Sequence, residues 1–212
     1  MKFPWWRKKE WKQWDIAEIR KRSRLLVIDD SEFPYQVLFE RDGYNIDKWS
    51  DVEDLPRLES GYYDLLLLDI QGVGAKHSHE DGLGILKHLN KVCPALVVIA
   101  YSTADFSLEK KEFFDLADDT LAKGEDYLAF KRAVDKVLGR RYALGFYLDR
   151  VAKLASSYVP NADRIREAAE LAILTQDPEV LRRAMARDGV KELDVDRALQ
   201  VIQVAIGILS LP

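Results

Sequence analysis

The chain has 212 residues, 48% hydrophobic and 32% charged, which is long enough for one domain with a sizeable core plus a smaller unit. This composition excludes an intrinsically disordered protein. The formal net charge of −4 conceals a basic start, because residues 1–24 hold nine Lys and Arg against three acidic residues.

Cysteine usage and hydropathy indicate the compartment. The single cysteine, Cys93, cannot form an internal disulfide, which is typical of a reducing environment. Charged residues and tryptophans stand where a secretory signal needs an apolar core. The longest uncharged run, 198–212, is shorter than the roughly 20 residues of a spanning helix. We therefore expect a cytoplasmic protein.

The first predicted element is a basic, tryptophan-rich arm at residues 1–23. Trp11, Trp14 and Ile19 approximate the apolar stripe of a helix, with three lysines of residues 8–12 around it. Three interpretations are open. The tryptophans pack on the protein's own acidic body, the arm docks on a membrane surface or a partner, or it binds nucleic acid.

Residues 24–140 then alternate between strand-like and helical segments. Several strands are apolar throughout, which is typical of a parallel sheet covered on both faces. The leucines of residues 83–89 and the apolar residues of 113–116 have helical spacing. Together these features predict five βα units in a doubly wound α/β domain. The predicted strands are "RLLVIDD" (24–30), "YNIDKW" (44–49), "YDLLLLDI" (63–70), "ALVVIAYS" (95–102) and "DDTLAK" (118–123).

Polar side chains follow four of these strands. Asp29 and Asp30 end the first, Asp69 the third, Ser102 the fourth and Lys123 the fifth. Any one of them alone is explained as a turn former or a helix cap. Their joint occurrence indicates a site, because open α/β sheets bind ligands at the carboxyl ends of their strands.

Residues 24–138 resemble the receiver domains of two-component response regulators. The resemblance rests on "VIDD", "LLLLDI", "AYST" and "DDTLAKG", which occur in the family's order. It implies a flavodoxin-like, five-stranded parallel sheet of order 2-1-3-4-5. In this chain a small all-α domain, residues 141–212, would follow the sheet.

The resemblance also implies the roles of the site residues. Asp69 would accept a phosphoryl group from a sensor histidine kinase or a phosphotransfer protein. Ser102 would close on that group, and Lys123 would be the fixed cation. Phosphoryl transfer depends mostly on positioning and on neutralising the phosphoryl oxygens, which agrees with these side chains.

Magnesium is the cofactor that the resemblance implies. Asp30, Asp69 and the backbone carbonyl of Gln71 would hold Mg²⁺, and Asp29 would assist through water. The residues support this independently, since neighbouring carboxylates either have raised pKa values or share a divalent cation. A site made only of oxygen ligands favours Mg²⁺.

The sequence departs from the family's pattern around this site. Thr120 stands three positions before Lys123, where the family usually has an aromatic switch residue, and Gly124 replaces the usual proline. The first helix of the receiver-like segment is also short. These differences leave open whether the usual signal relay operates.

A further departure is an insertion at residues 75–80. It contains His77, His79 and Glu80, side chains that can share a transition metal. The alternative is a polar surface loop that gates access of phosphodonors or contacts a partner. Deleting the insertion is then expected to change the rate of phosphorylation or dephosphorylation.

Residues 141–212 are predicted to be helical throughout. The last helix, from about residue 194, is apolar almost all round, so it must be buried in a helical bundle or in a homodimer interface. The tail has no histidine, which excludes a histidine phosphotransfer domain. It also has no glycine-rich phosphate loop and no nucleophile motif.

Two classes of function remain in contention. The first is a response regulator, a signalling protein rather than an enzyme, whose helical tail acts by protein–protein interaction. The second is a pseudo-receiver scaffold, or a DNA-binding transcriptional regulator, with a non-functional pocket. DNA binding through the arginines of residues 179–189 is less favoured, because the tail as a whole is not basic and has no accompanying base-reading Asn or Gln.

Overall fold

The computed structural model describes residues 11–103 and 116–209, which fall into two units. The first unit spans residues 15–141, and the second holds residues 142–209 together with residues 11–14. The predicted arm is therefore divided, because its part from residue 15 onward belongs to the first unit. The rest of the arm, residues 1–10, and most of the helix predicted at 113–116 lie outside the described residues.

The first unit contains a five-stranded sheet. Its order is β2-β1-β3-β4-β5, and all neighbouring strands are parallel. This confirms the predicted doubly wound α/β fold. The three central strands are buried almost along their whole length, which explains their unbroken apolar sequences. The strands are β1 (Arg24–Ile28), β2 (Asn45–Trp49), β3 (Leu65–Asp69), β4 (Val97–Ser102) and β5 (Asp119–Ala122).

Five helices surround this sheet within the described residues. The first, which precedes β1, packs against the last helix of the unit and against β2. It buries Ile19, and the Arg20 Nε donates to the Asp135 carboxylate at 2.9 Å. The helices are α1 (Ile16–Arg22), α2 (Gln36–Arg41), α3 (Leu55–Glu59), α4 (Asp81–Val92) and α5 (Tyr127–Arg141).

The register of the strands determines which residues meet at the edge of the sheet. Ile28 of β1 lies beside Leu68 of β3, and Asp69 lies beside Tyr101 of β4. The residues that follow β1 therefore emerge level with Asp69. This places the carboxyl ends of the central strands together at one edge.

The second unit is helical. It contains α6 (Leu144–Ala155), α7 (Asp163–Thr175), α8 (Glu179–Arg187) and α9 (Glu192–Leu209). The last helix packs against the other three. Of the two predicted ways to bury it, the structure shows the bundle, because the chain's own helices bury seven of its residues, although Leu193 is exposed. The buried residues of α9 are Val195, Ala198, Leu199, Val201, Ile202, Ala205 and Leu209.

Residues 11–14 of the arm pack within this second unit. The Trp14 and Tyr142 rings meet edge to face, with centroids 5.5 Å apart, and the Lys12 ammonium lies 3.9 Å from the Trp14 ring centroid. For Trp14, this supports packing on the protein's own body. No helix in the described part of the chain combines the length and apolarity that crossing a bilayer requires.

Candidate functional site

Three carboxylates meet at the carboxyl edge of the sheet. Asp29 and Asp30 follow β1 directly, and Asp69 is the last residue of β3. One oxygen from each lies within 4.8 Å of the others. Among the described residues, this is the only group of three or more acidic, histidine or cysteine side chains so arranged. Asp29 and Asp69 are buried, whereas Asp30 is exposed.

The ammonium of Lys123 lies between two of these carboxylates. Its Nζ is 3.0 Å from Asp29 Oδ1 and 2.8 Å from Asp69 Oδ2. The backbone amide of Lys123 donates to the Ser102 carbonyl at 2.8 Å, which fixes the start of its loop to the end of β4. One ammonium faces three carboxylates, so the site retains an excess of negative charge.

Asp29 is held by three donors. The hydroxyl of Tyr101 donates to Oδ2 at 2.6 Å, and the Ser31 amide donates to Oδ1 at 2.9 Å. The third is Lys123. Burial raises the pKa of Asp29, but these three donors outweigh it and hold the pKa below its usual value.

The pKa of Asp69 shifts the other way. Burial raises it, and the hydrogen bond and charge of Lys123 offset only part of that effect. Burial also lowers the pKa of Lys123, but the carboxylates of Asp69 and Asp29 more than reverse this, so the lysine remains an ammonium. The pKa values of Asp69 and Lys123 are thus both raised. For Asp69 the largest effect is desolvation, whereas for Lys123 the two neighbouring carboxylates outweigh desolvation.

Tyr101 is not among the site residues predicted from the sequence. Along a strand, successive side chains point to opposite faces, so a residue next to Ser102 is not expected to contact the same site. The Tyr101 ring is buried against Phe33 and Phe130, with centroids 6.4 and 5.9 Å away, and its hydroxyl reaches the site from that side. The one feature of the sequence that could have indicated this role is that Tyr101 is the only aromatic residue of the strand "VVIAYS".

The remaining predicted site residues lie at the same edge. Ser102 is buried, and its hydroxyl donates to the Thr103 carbonyl at 3.1 Å. The backbone amide of Gln71 bonds to the Asp69 carboxylate, while the metal-binding role of its carbonyl stays a prediction. Thr120 is exposed on β5, where the family would have its aromatic switch.

The residues present fit a hard divalent cation such as Mg²⁺. The donors are carboxylate oxygens, their net charge is negative, and Asp30 is open to solvent, which leaves room for water ligands. The backbone after β3 also runs close to this group. Gly72 has a φ of +75°, which strains any other residue, and a Cβ there would lie 2.2 Å from Asp30 Oδ2, so the Asp30 carboxylate would have to move.

The predicted metal ligands of the insertion are not brought together. His77 Nε2 lies 3.3 Å from the Val52 carbonyl, and Glu80 pairs with Lys87 at 2.8 Å. Together with His79, they do not form a ligand group among the described residues. The structure therefore supports the interpretation of a polar surface loop.

The inserted loop is fastened to the loop after β2. The Asp51 carboxylate accepts the Gly74 amide at 2.6 Å and the Val52 amide at 2.8 Å. The Lys76 ammonium lies 3.6 Å from the same carboxylate. Asp51 thus holds the segment whose Gly72 lies against Asp30.

The comparisons with known proteins concern the fold. No family model matches the sequence, and no curated protein does. Solved structures match over a little more than half of the chain. The receiver domain of a putative LuxO repressor from Vibrio parahaemolyticus is 21% identical, with a TM-score of 0.49 over 57% of this chain and 92% of that one.

Two further structures have similar scores. A two-component response regulator from Clostridium difficile is 22% identical, with a TM-score of 0.48 over 57% of this chain and 100% of that one. NtrX from Brucella abortus is 21% identical, with a TM-score of 0.47 over 56% of this chain. The match spans only 27% of the NtrX chain.

Proposed function

We propose that this protein is a two-component response regulator, which accepts a phosphoryl group on Asp69 in the presence of Mg²⁺. A sensor histidine kinase or a phosphotransfer protein would supply that group. The protein then signals through its helical C-terminal unit by protein–protein interaction, with no enzymatic activity of its own.

One observation carries this proposal. The Lys123 ammonium contacts both Asp69 and Asp29, 2.8 and 3.0 Å away, at an edge where Asp30 adds a third carboxylate. This arrangement offers a nucleophilic carboxylate, a fixed cation and oxygen ligands for a metal. Phosphoryl transfer needs these three elements.

The residues divide the work of the transfer. A carboxylate oxygen of Asp69 attacks phosphorus, the bond from phosphorus to the donor's imidazole nitrogen breaks, and its electron pair stays on the imidazole. Lys123 offsets negative charge on the phosphoryl oxygens, and the Ser102 hydroxyl donates to one of them. Asp30, Asp69 and the Gln71 carbonyl would hold Mg²⁺, which would supply further charge neutralisation.

A partner other than DNA is favoured for the helical unit. The arginine at the centre of α8, Arg182, is engaged by acidic groups: it lies 3.2 Å from Glu179, 2.6 Å from Glu192 and 3.4 Å from Asp196. An arginine already matched by carboxylates attracts phosphates poorly. This supports protein–protein interaction as the output.

The test is phosphorylation of the full chain by acetyl phosphate with Mg²⁺, followed by intact mass spectrometry and peptide mapping. We expect one phosphoryl group per chain, located on Asp69, and none without Mg²⁺. Asp69→Asn should abolish the modification. Glu32→Gln, which neutralises an exposed carboxylate two residues from Asp30, should leave it unchanged.

Two results would contradict the proposal. One is a wild-type chain that acquires no phosphoryl group under these conditions. The other is modification that persists in Asp69→Asn.

A further inference from the structure

The outward faces of α7 and α8 form an apolar groove in the helical unit. Its five apolar lining residues are neither buried in the bundle core nor isolated on the surface, and Leu171 is 37% exposed. A contiguous apolar surface bordered by charges is typical of an interaction site. The five are Ala168, Leu171, Leu174, Val180 and Ala184.

The two sides of this groove carry opposite charges. Apart from Arg164, whose charge is paired with Asp188, α7 contributes Glu167 and Glu170, whereas α8 contributes Arg183 and Arg187. Spacings of three and four residues place each pair on one face of its helix. Of these four, only Arg183 is in an ion pair within the described part of the chain, at 3.7 Å from Asp177. Most of this charge is therefore available to a partner.

The opposite charges also lie at matching heights. α7 and α8 are antiparallel neighbours, since Arg164 in the first turn of α7 pairs at 3.3 Å with Asp188, just beyond the end of α8. With a rise of about 1.5 Å per residue from that pair, Glu167 lies at the level of Arg187 along the helix axes, and Glu170 lies at the level of Arg183. Both matches hold to within about 5 Å, one turn of helix.

We propose that this groove binds the same groove of a second copy of the chain, about a two-fold axis parallel to α7 and α8. That axis lays α7 of one copy over α8 of the other. Glu167 and Glu170 then face Arg187 of the partner subunit and Arg183 of the partner subunit. The exposed leucines of both copies become the core of a four-helix contact.

The charge pattern selects this axis over the other face-to-face arrangement. A two-fold axis in the interface but perpendicular to the helices would lay α7 over α7 and α8 over α8. Glutamates would then face glutamates and arginines would face arginines, and like charges across an interface oppose association. The pattern is thus self-complementary in one arrangement only. The proposal does not depend on phosphorylation of the first unit.

The experiment uses two charge-reversal variants of the full chain, E167R/E170R and R183E/R187E. In each variant the α7 and α8 sides of the groove carry the same charge, so the dissociation constant of the homodimer should rise by at least roughly tenfold. Mixing the two variants restores opposite charges across the interface. Sedimentation equilibrium should show a dimer for the wild type, monomers for each variant alone, and a heterodimer for the mixture.

A matched control separates this surface from general charge effects. Lys153 and Lys191 are exposed and lie outside the groove, and K153E/K191E changes the net charge as much as R183E/R187E does. It should leave the dimer intact, and circular dichroism should show that all variants stay folded. A monomeric wild type at high micromolar concentration, a dimer indifferent to both reversals, or a mixture that stays monomeric would each overturn the proposal.

Discussion

The hydroxyl of Tyr101 is predicted to be one of the most important single groups holding the site. Tyr101 is 2% exposed, and its hydroxyl donates at 2.6 Å to a carboxylate, that of Asp29, which is also 2% exposed. Replacing Tyr101 by phenylalanine removes only this donor and keeps the ring against its neighbours. Asp29 would retain two donors, the Ser31 amide and Lys123.

The expected loss of stability follows from the kind of bond removed. A hydrogen bond to an ionised group contributes about 1.5–3 kcal/mol, and a buried charge that loses one donor stays desolvated. We therefore expect Tyr101→Phe to lower the free energy of unfolding by about 2 kcal/mol. Urea denaturation at neutral pH without added Mg²⁺ measures this as a lower midpoint with an unchanged slope.

Tyr62→Phe is the matched control. Tyr62 is 37% exposed, so removal of its hydroxyl should change the stability by no more than about 0.5 kcal/mol. If Tyr101→Phe lowers the free energy of unfolding by no more than Tyr62→Phe does, then the Tyr101 hydroxyl does not stabilise the Asp29 carboxylate, contrary to this prediction.

Three further predictions have defined outcomes. Gly72→Ala should weaken Mg²⁺ binding, because its Cβ would meet the Asp30 carboxylate. Gly124→Ala should not, because nothing lies within 4 Å of the added Cβ. Calorimetric titration with Mg²⁺ compares the two variants. Asp51→Ala should cost about 1–2 kcal/mol in urea unfolding and alter the rate of acetyl phosphate labelling, because it releases the inserted loop; an unchanged rate would count against a role for that loop. Burial raises the pKa of the Cys93 thiol to about 11 from an ordinary value of 9.0. At pH 8 its alkylation should therefore be roughly 100-fold slower in the native than in the unfolded protein, and equal rates would contradict this burial.

The sheet and the location of its site could be predicted because they follow from the order of residues along each strand. β3 has an aspartate near each end. Asp64, at the amino end, pairs with the buried Arg141 at 2.9 Å, whereas Asp69, at the carboxyl end, faces Lys123. The rule that ligands bind at the carboxyl ends of parallel strands distinguishes the two from the sequence alone.

The contribution of Tyr101 could not be predicted in the same way. Its reach depends on how the ring lies between Phe33 and Phe130, and that packing is set by residues distant in the sequence. The inserted loop presented the same difficulty. Its histidines suggested a metal site, but the contact between His77 and the Val52 carbonyl joins two loops whose proximity no local pattern encodes.

The helical tail illustrates a different limit. The apolar last helix was expected to be buried either in a bundle or in a dimer, and the helix spacing alone could not decide. The structure covers α9 with the chain's own helices. It also reveals an exposed groove between α7 and α8, which depends on the pairing of two helices in space.

The central claim is that Asp29, Asp30 and Asp69 bind a magnesium ion opposite Lys123. A calorimetric titration of the full chain with Mg²⁺ at neutral pH tests it most directly, with Asp30→Asn and Glu32→Gln as paired variants. The account predicts one saturable site at millimolar Mg²⁺ in the wild type and in Glu32→Gln, and its loss in Asp30→Asn. Absence of binding in the wild type, or binding that survives Asp30→Asn unchanged, would contradict it.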